Sequence, residues 1–180
     1  LSVVPATPDL AGAEVELVSV SQRESALARA LRPVIDAGRF EFVILDCPPS
    51  LGLLTVNALV AADSVLIPMQ AKYFSLEGLG ALKGTIDSVR AALNAELSIE
   101  GIVFCMFDPR TNLAQQVVAE VRQHFGELVY DTVIPINIRL SESPSFGKPA
   151  LLYDIESKGA QAYLQLAREV LSRIEQGRAA

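Results

Sequence analysis

The chain has 180 residues, of which 51% are hydrophobic and 20% charged, with a formal net charge of −6. That composition is globular and large enough for a true core, which excludes a disordered segment. The acidic balance argues against a constitutively basic nucleic-acid binder, while leaving room for a local basic patch or one assembled in a dimer.

The chain opens Leu1-Ser2-Val3-Val4-Pro5, with no initiator Met and no secretory signal pattern, and it reads as a fragment. Ser2 to Pro5 is a short strand candidate. A helix is expected over Leu10 to Leu17 with Asp9 as N-cap, and another from about Ser21 to Ala37. There Ser21 and Glu24 form a capping box and Gly38 gives the stop. Phe40 to Leu45 is the clearest strand, apolar almost throughout, as befits a strand covered on both faces. A helix over Leu51 to Ala61, a strand over Ser64 to Met69 and a long helix over Ser75 to Leu93 follow. Then come a strand over Ile99 to Phe104, a helix over Asn112 to Phe125 stopped by Gly126, and a strand over Val129 to Ile134 ended by Pro135. Ile136 to Pro149, rich in Ser, Pro and Gly, reads as a loop, and Ser157 to Glu175 as the last helix.

Strands separated by helical crossovers imply βαβ units, a mainly parallel sheet and a three-layer α/β class. In such sheets ligands sit outside the carboxyl ends of the strands, which directs attention to the loops after Leu45, Met69, Phe104 and Ile134. The first is Asp46-Cys47-Pro48-Pro49-Ser50. The prolines turn the chain out of any ladder and leave Asp46 at the sheet edge. A carboxylate there suits Mg²⁺, which takes one or two carboxylates plus waters and phosphate oxygens; equally, it could serve only to satisfy amides of the next turn. Cys47 and Cys105 form no CxxC, which points to reduced thiols in the cytosol. His124 is the only histidine, so a histidine-rich metal site is excluded.

Phe42-Val-Ile-Leu-Asp46-Cys-Pro-Pro-Ser-Leu-Gly-Leu-Leu-Thr-Val-Asn57-Ala-Leu59 is similar to the switch II region of the ParA/Soj/MinD group of deviant-Walker ATPases. The likeness continues through Ala61 to Gln70, Leu76-Glu77-Gly78-Leu79, Met106-Phe-Asp-Pro-Arg-Thr-Asn-Leu113, Thr132-Val-Ile-Pro135 and Asn137 to Pro149. Pro5 to Ala13 also resembles the family's stretch before that strand. The chromosomal Soj-like branch is the most similar.

The resemblance implies a P-loop NTPase-like fold that binds ATP and Mg²⁺, dimerises around nucleotide and binds double-stranded DNA without sequence preference. It implies a ParB/Spo0J-like partner that stimulates hydrolysis, and a cytoplasmic, nucleoid-associated place of work. Asp46 would stand in switch II near Mg²⁺ and the γ-phosphate. Pro135 and Asn137 would border the adenine, and Met106 either packs on the base or is ordinary core. Arg110, Arg139 and Lys148 would be the DNA contacts, since non-specific binding works by neutralising phosphates. Ile136 stands where the family commonly has Arg, so one positive charge is absent. No Gly-x-x-x-x-Gly-Lys-Ser/Thr or deviant form occurs, and Gly147-Lys148-Pro149 is no substitute. The expectation is therefore a single, N-terminally incomplete domain lacking the phosphate-binding unit and inactive as an ATPase by itself. The rival readings are a MinD-like positioning ATPase and a non-enzymatic truncated scaffold. An iron–sulfur relative is disfavoured because neither cysteine resembles a paired cluster ligand. The tail after Leu164 lacks the large apolar anchors of a membrane-binding helix, so no membrane partner is expected.

Overall fold

The computed structural model describes residues 1–179, with side chains to residue 177; Ala180, the end of the tail weighed above, lies outside the described residues. The chain forms two compact units, one of Leu1–Val65 with Ala81–Ser98, the other of Leu66–Gly80 with the chain from Ile99 onward. In order the elements are α1 (Leu10–Glu16), α2 (Ala26–Asp36), α3 (Leu53–Ala61), β1 (Ser64–Gln70), α4 (Tyr73–Ala92) and β2 (Ser98–Phe107). They continue with α5 (Asn112–Phe125), β3 (Val129–Pro135), α6 (Ile138–Glu142), α7 (Ala150–Tyr153) and α8 (Lys158–Ala179). The class is α/β. The sheet runs β1-β2-β3, and β2 and β3 pair in parallel, with Ile102 opposite Val129 and Phe107 opposite Pro135.

In the first unit, the buried Asn57 of α3 joins three pieces of chain. Its amide nitrogen donates to Arg23 O and Leu53 O, both at 3.0 Å, and its oxygen accepts the Leu27 N–H at 3.1 Å. The amide thus satisfies one of the orphan donors at the start of α2. Asn94 does the reverse at the end of α3: its amide nitrogen reaches Leu59 O, Val60 O and Ala62 O. The expected capping box does not form. Gln22 takes a left-handed conformation at φ 54°, a single 3₁₀ turn covers Arg23–Ser25, and Glu24 pairs with Arg23 instead. Gly38 does end α2, at φ +60°. Asp9 makes no side-chain cap for α1; its carboxylate accepts the Thr7 hydroxyl.

Two expected strands are absent among the described residues. Neither Ser2 to Pro5 nor Phe40 to Leu45 belongs to the sheet. Val43 and Ile44 are 46% and 90% exposed. An apolar run specifies burial, but a strand exists only where a neighbour supplies ladder donors and acceptors, and β1-β2-β3 supplies none to this segment. Asp46 is accordingly not at a strand terminus but on an exposed irregular stretch.

The second unit is built on the alternation of β2. Val103 and Cys105 face a cluster with Tyr130 and Ile134 of β3 and Leu166 of α8; Ile102 and Phe104, one residue out of step, point to the opposite side of the sheet. Tyr130 fills the space left by the missing side chain of Gly101, where an added Cβ would fall 2.8 Å from Leu128 O and into the tyrosine ring. Burial and the nearby Glu100, which accepts the phenol at 3.3 Å, push Tyr130 up to about 12. β3 ends the order β1-β2-β3, so its outer backbone groups need other partners. Helix α8 supplies them. The two carboxylate oxygens of Glu169 accept the N–H groups of Asp131 (2.9 Å) and Thr132 (3.0 Å). Arg173 donates to Glu127 O, Val129 O and Glu169, and its guanidinium lies 4.0 Å over the Tyr130 ring.

Removing Glu169 leaves two strand donors without partners. Glu169→Ala is expected to lower stability by about 1–3 kcal/mol in urea unfolding. Burial works against the charged carboxylate, but the Asp131 and Thr132 donors and the Arg173 guanidinium outweigh it and hold its pKa below the usual 4.5. Its contribution is thus complete above pH 4.5 and fades as the pH falls through the depressed value. Comparing acid unfolding of the wild type with Glu169→Gln checks this, the variant losing that component of the pH dependence.

Candidate functional site

The carboxyl ends of β2 and β3 lie side by side, and the Ile136 N–H donates to Phe107 O at 3.3 Å, closing the two strand ends together. This brings Met106, Pro135 and Asn137 to one end of the sheet. Met106 is 56% exposed and adopts φ +52°, a left-handed conformation unusual for a side chain with a Cβ. Its sulfur accepts the Gln70 amide at 3.3 Å, which ties the end of β1 to the end of β2. The strained backbone turns the thioether outward from the sheet, so Met106 is not ordinary core. Gln70 was not singled out by the sequence; its place as the last residue of a buried strand was the available signal.

Asn137 caps α6, its side-chain oxygen accepting the Arg139 N–H at 2.9 Å. The stretch expected as a loop therefore contains a helix. It continues through a 3₁₀ turn, Ser143–Phe146, with Pro144 near its start and Gly147 at φ +61° at its end. The Asn137 N-cap of α6 and a proline in the first turn of the 3₁₀ segment outweigh the loop-like composition. Leu140 of α6 packs where Gly159 of α8 leaves room: a Cβ there would fall 2.5 Å from Leu140 Cγ.

The three candidate cations differ. Arg139 is held between two carboxylates, donating to Glu142 at 3.0 Å and lying 3.3 Å from Asp154. The Glu142 bond raises its pKa further. Tyr153 also donates to Glu142, and its ring stacks on Phe146 at 4.9 Å. Lys148 is exposed. Arg110 follows β2 on the turn before α5, exposed and bound to Asp108 by Nε (2.9 Å) and Nη2 (2.8 Å). That contact, first through the guanidinium and then through the Arg110 N–H, pulls Asp108 down to about 2.

Asp46 belongs to the first unit and is exposed. Beside it, the Cys47 thiol is directed at Leu45 O (3.6 Å). Burial raises the Cys47 thiol and Asp46 raises it further; burial alone raises Cys105. Both shifts favour the neutral thiol over the thiolate.

This parallel-sheet α/β fold is that of the P-loop ATPases: cobyrinic acid a,c-diamide synthase from Mycobacterium smegmatis, solved with an ATP analogue and magnesium, superposes with a TM-score of 0.78 at 36% identity over 96% of this chain and 63% of that one. Residues 1–99 match a family model described as an AAA domain. The chromosome partitioning protein ParA of Myxococcus xanthus is 59% identical over 173 residues, which is 96% of this chain and 60% of the relative. The chromosome-partitioning ATPase Soj of Treponema pallidum is 50% identical over 96% of this chain and 68% of its own length. The chain belongs to the ParA/Soj family of chromosome-partitioning proteins. It spans 60% of the length of the Myxococcus relative.

The backbone at Met106 generates a stability prediction. Met106→Gly relieves the left-handed strain and should leave the melting temperature unchanged or raised, whereas the β-branched Met106→Ile should cost about 1–3 kcal/mol. Thermal melts of the two variants against wild type check it, and equal melting of both would refute the strain.

Proposed function

We propose that this chain is part of a partitioning ATPase that binds ATP and Mg²⁺, dimerises with nucleotide and holds double-stranded DNA without sequence preference. Hydrolysis is stimulated by a ParB/Spo0J-like partner, and the protein works in the cytoplasm on the nucleoid. The observation that carries the reading is family membership across nearly the whole chain; the gathering of Met106, Pro135 and Asn137 at one end of the sheet supports it. In this reading Pro135 and Asn137 border the adenine and the outward thioether of Met106 lies against the base.

Asp46 fits the magnesium side chemically. It is an exposed oxygen donor, the kind Mg²⁺ takes singly with waters and phosphate oxygens, and the adjacent thiol is turned to a backbone carbonyl. Bound magnesium supplies charge neutralisation at the β- and γ-phosphates. Asp46 would be the carboxylate that holds the ion. The phosphate cradle itself needs glycine-rich backbone amides and a lysine, and the 180 residues contain no such motif. The 180-residue chain alone is therefore proposed to neither bind ATP tightly nor hydrolyse it. Arg110, Arg139 and Lys148 are the proposed DNA cations. Arg110 and Lys148 lead, because Arg139 is already shared between Glu142 and Asp154.

The test is ATP-dependent binding to a random-sequence duplex at low salt. It compares the 180-residue chain with a protein of the relatives' full length that carries this sequence. Only the full-length protein should bind, and Arg110→Ala should weaken it while reducing the salt slope by about one. A full-length protein that takes up ATP but ignores DNA would refute the DNA reading. ATP hydrolysis by the 180 residues at the full-length rate would refute the role given to the absent loop.

A further inference from the structure

The Arg110 side chain is 86% exposed, against 50% for Arg139, yet it is not loose. Asp108 takes it from one side only. Nε and Nη2 both donate to the carboxylate, and the Arg110 backbone N–H donates to the same carboxylate at 3.0 Å. A guanidinium carries five N–H donors in a rigid plane. With the Nε edge engaged, the end formed by Nη1 and the second Nη2 hydrogen has no contact with Asp108. That end has the spacing for two oxygens of one phosphate.

The burial of the two partners says which holds which. The Asp108 side chain is 22% exposed and that of Arg110 86%. The carboxylate is the anchored member and the guanidinium the presented one. The turn beneath them is fixed independently. The Thr111 hydroxyl donates to Asp108 O at 3.0 Å, and the Gln115 amide of α5 reaches Pro109 O at 2.8 Å.

We propose that Asp108 is a positioning residue for DNA: it grips Arg110 by the Nε edge and aims the Nη1–Nη2 end at a backbone phosphate. The proposal rests on the DNA-binding reading above. Two effects oppose each other. A nearby carboxylate weakens the pull on phosphate, but it lies across the guanidinium from that phosphate, in solvent where charge is screened. Orientation acts the other way. A free arginine gives up most of its rotamer freedom on binding, whereas one already held gives up little. At an exposed site the orientation gain prevails, and it needs the planar fork, which lysine lacks.

The experiment measures anisotropy of a labelled random-sequence duplex with ATP, using the full-length protein carrying this sequence. Asp108→Ala should weaken binding about three- to tenfold, the scale of one charge-assisted contact held less firmly. Asp108→Asn keeps an oxygen for the Arg110 N–H and so keeps the turn closed, but loses the ionic grip. It should weaken binding similarly with unchanged melting. Arg110→Lys should also weaken binding although the charge is retained, and Asp108→Asn should add nothing on an Arg110→Ala background. Equal or tighter binding by Asp108→Asn would overturn the proposal, since the carboxylate would then act as the phosphate's competitor. A loss that persists undiminished in Arg110→Ala would overturn it too. Wild-type protein that ignores DNA defeats the DNA reading itself, and this proposal with it, which separates the two failures.

Discussion

Helix α8 and strand β3 are joined by two side chains, Glu169 and Arg173, that bond to strand backbone as well as to each other. A strand at the end of a sheet leaves donors and acceptors facing outward, and these either meet water, recruit another chain or are occupied from within. Here a carboxylate takes two N–H groups and a guanidinium takes two carbonyls, with the pair bonded to each other. The same arginine covers the Tyr130 ring, and Tyr130 fills the notch over Gly101. The helix, the strand and the apolar cluster beneath them therefore stand or fall together. The same strand β3 carries Pro135 at its carboxyl end, beside the end of β2 where Met106 sits.

Where each element was visible in the sequence depended on whether its determinants are local. Helix α5 begins and ends where period and stop signal put it, with Ala114, Val117 and Val121 on its buried face and Gly126 at φ +53°. β3 likewise runs from Val129 to the proline. Phe40 to Leu45 has a stronger apolar run than either and no strand. Composition reports what a segment would bury, and pairing depends on what lies beside it. The α6 helix was obscured for the opposite reason. Ser, Pro and Gly dominate its surroundings, while its start is capped by one hydrogen bond that the Asn137 side chain accepts from the Arg139 N–H.

The candidate site divides on the same line. Family likeness picked out Met106, Pro135, Asn137 and Arg110 by residue identity, and their shared placement at or just beyond the carboxyl ends of β2 and β3 follows from the parallel pairing. What no motif encodes is geometry: the left-handed backbone at Met106, the Gln70 contact that accompanies it, the double occupation of Arg139. Charge counting treats Arg110, Arg139 and Lys148 alike. Their partners make them three different groups.

That difference bears on how an acidic chain would hold DNA under the proposed reading. These 180 residues carry a net charge of −6, so their long-range interaction with a polyanion is unfavourable, and the proposed binding would rest on short-range contacts that outweigh it. Under that constraint the number of arginines matters less than how completely each is prepared before contact. A guanidinium shared between Glu142 and Asp154 must give up one partner to accept a phosphate. One gripped along a single edge by Asp108 has its other end open to accept it. The acidic residues around the basic ones would then not be simply a burden on the proposed DNA binding. Depending on which edge they occupy, they withdraw a cation from use or set it in place.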